Sequence, residues 1–97
     1  MHFAIICIDK PDHEALRQEN RAAHLDYLAG FKDQVFAAGP LQSDDGAQMK
    51  GSVLILDLPD RAAADAFAAG DPYAKAGLFE SVITRRWKKV LPPDPAR

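Results

Sequence analysis

Two arginines and a histidine recur at steps of four and three in RQENRAAHLDYL, residues 17–28. At about 100° per residue, Arg17, Arg21, His24 and Leu28 share a narrow arc of one helix face. A histidine titrates near neutral pH and can serve as general base or acid. A guanidinium nearby can receive a carboxylate or phenolate. His24 is the only histidine inside a strong element, since His2 stands at the terminus and His13 at a helix start. Two readings of the row stand. It is a solvated face, with Arg17 and Arg21 paired to Glu14, Glu19 or Asp26. Alternatively it points into a site, where each guanidinium needs a partner because an unpaired buried charge is costly.

A histidine that moves protons needs a carboxylate to orient it, and Asp71 in AAGDPYAKAGLF is the best candidate. Asp-Pro is also a favourable N-cap and first-turn pair, so Asp71 can simply cap a short turn through Ala76 that ends at Gly77. The two roles are compatible, because a carboxylate has two oxygens. Tyr73 supplies packing, an aromatic wall or a hydroxyl. Ser52 follows Gly51 without a G-x-S-x-G elbow, which fits a ligand hydrogen bond better than a nucleophile. Cys7 lies in an apolar run and is read as a buried thiol. Asp44, Asp45 and Gly46 form a turn and lack the alternating ligands of a calcium loop. No metal-ligand spacing and no phosphate-cradling glycine loop occur, so neither a metal nor a cofactor is expected.

These residues sit in a chain of 97 residues with 47% hydrophobic and 27% charged residues and a net charge of −2. That is one globular domain, residues 1–90, followed by a Pro-rich tail, 91–97. RRWKK at 85–89 is the only basic stretch; alternation splits it between two faces, with Trp87 packed inward. Nucleic acid is therefore not an expected partner. No apolar run approaches the ~20 residues that cross a bilayer. MHFAIICIDK lacks the features of a signal peptide, and a cytoplasmic location is expected.

The elements follow from apolar pattern and punctuation. Phe3 to Ile8 is a buried strand. Asp12 caps a helix that Gly30 stops. Gln34 to Ala38 is a short strand closing at Gly39-Pro40, and residues 41–50 form an exposed loop. Ser52 to Leu58 is a central strand. Asp60 caps a second helix that ends at Gly70, and Phe79 to Val90 is the last strand. This βαββαβ order predicts an α+β, ferredoxin-like sandwich, a four-stranded antiparallel sheet with two helices on one face. Yet Phe3, Ile5 and Cys7 oppose Ala4, Ile6 and Ile8, and Val53 and Ile55 oppose Leu54, Leu56 and Leu58. Both faces are apolar, and two helices cover only one. A homodimer with sheets packed face to face is the simplest cover for the other.

With these residues in place, the chain resembles the YciI-like (YCII-related) family. The resemblance rests on RAAHLDYL, AAGPL, the Gly51-Ser52 step, GDPYAKAGLFESV and RRWKKV. It implies a ferredoxin-like fold that dimerises as an α+β barrel. It also implies a site centred on a histidine–aspartate pair, which falls on His24 and Asp71. The expectation is a small homodimeric enzyme of lyase or isomerase type acting on a small cyclic or carbonyl compound. In it His24 and Asp71 are catalytic, and Arg17, Arg21, Ser52 and Tyr73 bind the substrate. The competing expectation is a non-catalytic module that binds a small ligand or a protein partner, in which Asp71 only caps its turn.

Overall fold

The computed structural model describes residues 1–95; positions 96 and 97 of the Pro-rich tail lie outside the described residues. The isoleucine-rich start forms β1 (His2–Asp9), and a stretch of helix formers without proline forms α1 (Glu14–Ala29). Then come β2 (Val35–Gln42), β3 (Met49–Asp57), α2 (Arg61–Gly70), α3 (Pro72–Lys75) and β4 (Phe79–Trp87). The strands make one antiparallel sheet in the order β2-β3-β1-β4. This is the ferredoxin-like α+β arrangement that the element order predicts, with α3 as the short turn after Asp71.

Period-two alternation assigns the faces. Phe3, Ile5 and Cys7 pair with Leu56, Leu54 and Ser52, and all six side chains are buried. With Leu58 of the following turn and Ala64 and Phe67 of α2, Phe3, Ile5, Leu54, Leu56 and Cys7 make the core under the helices. On the other face His2, Ala4, Ile6 and Ile8 lie beside Val53 and Ile55 of β3 and Ile83 and Trp87 of β4. No helix of the fold is long and apolar enough to cross a membrane among the described residues.

Several local expectations are corrected. Asp12 does not cap α1: its φ is 60°, and the residue at the cap position, His13, makes no side-chain cap bond. The expected loop at 41–50 shrinks to 43–48, because the β2–β3 ladder continues through Leu41↔Gly51 and Gln42↔Met49. Gly39-Pro40 sits within β2 instead of ending it, which an edge strand tolerates because proline there withholds a donor from solvent alone. The last strand stops at Trp87 rather than Val90. Trp87 itself lies on the helix-free face, tilted against Phe36 and edge-on to His2, not in the core. Asp60 does cap α2, accepting from the Ala63 amide at 2.8 Å.

Candidate active site

Helix α1 is oriented against hydropathy. Its buried residues are Arg17 and His24, whereas Leu25 is 44% exposed. Burying two cationizable groups while exposing a leucine costs stability unless both have partners, and both do.

His24 Nδ1 lies 2.8 Å from Asp71 Oδ1, and both side chains are buried. A carboxylate only accepts, so Nδ1 carries the hydrogen and Nε2 is left for proton transfer. Asp71 reaches His24 from the junction of α2 and α3, where the chain is extended before Pro72. The same Oδ1 accepts from the Tyr73 amide at 2.9 Å, so one oxygen both caps α3 and orients the imidazole. The Tyr73 ring stacks on His24 with centroids 4.0 Å apart and an interplanar angle of 15°. On Tyr73 also lies the Arg17 guanidinium, 4.5 Å from the ring centroid. Burial pushes the Tyr73 phenol up, and the Arg17 charge offsets part of that rise.

Arg17 does not pair with Glu14, Glu19 or Asp26, as a solvated face requires. It makes a fork on Asp9, Nε to Oδ2 at 2.7 Å and Nη2 to Oδ1 at 2.9 Å. Its Nη2 also donates to Ser52 Oγ at 3.0 Å. Burial is the largest single influence and opposes the charge, but the hydrogen bond and charge of Asp9, with smaller help from Tyr73, together outweigh it and hold Arg17 more firmly protonated than usual. Glu14 pairs instead with Lys50 at 2.8 Å. Arg21 is exposed, and among the described residues its side chain has no ion pair. The charge of Arg17 is thus matched within the protein, and Arg21 is the cation open to an anion.

These groups line a cavity of about 340 Å³ between α1 and the β2–β3 half of the sheet. Arg17, Arg21 and His24 enter from α1, Ser52 from β3, and Tyr73 from α3. Leu25, Leu28, Ala38, Pro40, Met49 and Leu54 complete a largely apolar wall. Such a space suits a small ring. All six residues singled out in the sequence therefore converge: Asp71 through its bond to His24, and the other five on the cavity wall. Asp9 was missed, although it continues the alternation of Phe3, Ile5 and Cys7 onto the same face. Met49 falls in the expected 41–50 loop and Pro40 in the expected Gly39-Pro40 bend, and the structure turns both into strand positions. Cys7 is buried as expected, and burial together with the nearby Asp71 charge pushes its thiol up to about 12. A thiol held neutral is a packing group, not a nucleophile.

The YCII-related domain family matches the chain over residues 1–88. Protein YciI of Escherichia coli O6:H1 is 35% identical over 98 residues, covering 94% of this chain and 100% of its own. Among solved structures, similarity extends to 5-chloro-2-hydroxyhydroquinone dehydrochlorinase from Burkholderia phenoliruptrix AC1100, in complex with 2,5-dihydroxybenzoquinone. That protein is 36% identical, with a TM-score of 0.88 over 97% of this chain and 100% of the other. A Mycobacterium tuberculosis structure, 20% identical with a TM-score of 0.54, covers 94% of this chain and 99% of its own and shares the fold alone.

Proposed function

The chain belongs to the YCII-related domain family, and from that premise we propose that it is a small acid–base enzyme acting on an oxygenated six-membered ring that carries a leaving group. The observation that carries this reading is the buried 2.8 Å bond between His24 and Asp71 at a cavity of ring size. Asp71 holds the imidazole so that Nε2 faces the substrate. His24 takes a ring-hydroxyl proton and returns one to the carbon that bears the leaving group. A second hydroxyl proton departs with the leaving group, so the sum is loss of HX and formation of a quinone. Arg21 receives the anionic oxygen at the mouth of the cavity, and Tyr73 supplies a flat wall. The dehydrochlorinase similarity supports halide as the leaving group. The working unit is a homodimer formed through the helix-free face of the sheet.

Chloride release from 5-chloro-2-hydroxyhydroquinone tests the proposal. Positioned acid–base catalysis contributes about 10²–10⁴-fold, so His24→Ala is expected to lose a factor in that range. A His24→Ala protein with undiminished turnover sinks the reading. A wild-type protein that binds ring compounds but turns none over points instead to a binding module.

A further inference from the structure

The acid–base reading leaves Asp9, Arg17 and Ser52 without a task. They are nonetheless buried together beside the cavity, with exposures of 9%, 7% and 3%. A buried ion pair is poor value for stability alone, since desolvation offsets much of its attraction. A serine on the same strand face as Leu54 and opposite Cys7 is likewise no gain for packing. The arrangement therefore needs another reason.

The bonding supplies one. Arg17 Nη2 donates both to Asp9 Oδ1 and to Ser52 Oγ. Ser52 thus spends a lone pair on a guanidinium whose own position is locked by the Asp9 fork. Among the described residues this is the only hydrogen bond of its side chain. The hydroxyl hydrogen has no protein acceptor and cannot point toward the Arg17 donor. It is left to the cavity that Ser52 lines. A hydroxyl that accepts from a cation is also a stronger donor, because hydrogen bonds in series polarise one another.

We infer that Ser52 is the oxyanion donor of this site: its hydroxyl, aimed by the Asp9–Arg17 pair, donates to an ionised ring oxygen of the substrate while His24 handles the protons. This rests on the acid–base reading for the identity of the ligand, but not for the direction of the hydroxyl. Ser52 touches the substrate; Arg17 and Asp9 are positioning residues that act through it. The chemical class follows. The ligand carries two separate oxygen functions, one anionic and held jointly by Ser52 and Arg21, the other exchanging its proton with His24. A ring with a single oxygen satisfies only one of the two.

Calorimetric titration with 2,5-dihydroxybenzoquinone at neutral pH tests the inference on the full chain. A hydrogen bond to a charged acceptor is worth roughly tenfold or more in affinity. Ser52→Ala is expected to weaken binding by at least that factor with an unchanged unfolding temperature, because Arg17 keeps its fork on Asp9. Ser52→Thr, which retains the hydroxyl, is expected to restore most of the affinity. In turnover, loss of one such donor lowers kcat by about 10²-fold. Wild-type affinity in Ser52→Ala, or no binding by the wild type, overturns the inference. Undiminished chloride release by His24→Ala defeats the acid–base reading instead, and leaves the Ser52 titration to be judged on its own.

Discussion

At the scale of single residues, the informative groups are the ones whose burial is costly. Asp71 separates two roles. If it only capped α3, Asp71→Asn would be silent, because asparagine caps about as well as aspartate. The substitution is expected to leave stability within about 1 kcal/mol but to cut turnover by ~10²-fold or more, since an amide neither fixes the tautomer as firmly nor balances an imidazolium. Thermal unfolding and chloride release measured on one preparation check both halves. Cys7 gives a second prediction. Its folded thiol keeps its proton up to about pH 12, against an ordinary value of 9.0. Between those limits the unfolded chain loses a proton that the native protein retains, so stability falls as pH rises through that window. Cys7→Ala is expected to lack that component, visible as a shallower loss of unfolding temperature above pH 9. Iodoacetamide at pH 8 is expected to leave the native thiol unlabelled and to modify it once the chain is unfolded.

At the scale of elements, the site depends on how closely β3 approaches β1. A Cβ at Gly51 would meet the carbonyl oxygen of Cys7, which is backbone and cannot step aside. Gly51→Ala is therefore expected to cost about 1–3 kcal/mol. It is also expected to weaken 2,5-dihydroxybenzoquinone binding, because the strand shift moves the adjacent Ser52. Denaturant unfolding and the titration check the two effects. Elements also divide what was legible in the sequence from what was not. The strand and helix order followed from apolar runs punctuated by Asp-Pro, Gly-Pro and Pro-Asp steps. The ends did not. Residues 41–50 read as loop because polar composition says nothing of a ladder that pairs Gln42 with Met49 through backbone groups. The arc of Arg17, Arg21 and His24 was legible from helical spacing, and Asp71 from the need for a carboxylate. The Arg17 partner was not, since Asp9 lies eight residues away on another element and only the folded alternation of β1 turns it toward α1. The side taken by Trp87 was equally illegible, because alternation fixes relative faces but not which face the helices cover.

At the scale of the whole molecule, one surface remains to be explained. The helix-free face carries Ala4, Ile6, Val53 and Ile55 at its centre. Toward its margins lie Ile8, 38% exposed, Ile83, 41% exposed, and Phe36, 48% exposed. Monomers seldom present a contiguous apolar area above a few hundred Å², whereas a stable pair buries ~1,200–2,000 Å² in total. Two such faces brought together would remove both sets of side chains from water without disturbing the helix-side core. The expected species in sedimentation at micromolar concentration is therefore about twice the chain mass of 10.6 kDa. Ile55→Glu places a charge at the middle of this face, pointing away from Leu54 and Leu56, and is expected to yield the monomer. A wild type that sediments as a monomer refutes face-to-face pairing. The cavity opens on the opposite side of the same sheet, among α1, β2 and β3. Dissociation should consequently reach the site through lowered stability, not through lost ligand contacts. Ile55→Glu is thus expected to unfold at a lower temperature, yet to bind 2,5-dihydroxybenzoquinone within about threefold of wild type, under 1 kcal/mol, wherever it is still folded. A monomeric variant that is folded and no longer binds would mean that the partner chain completes the site.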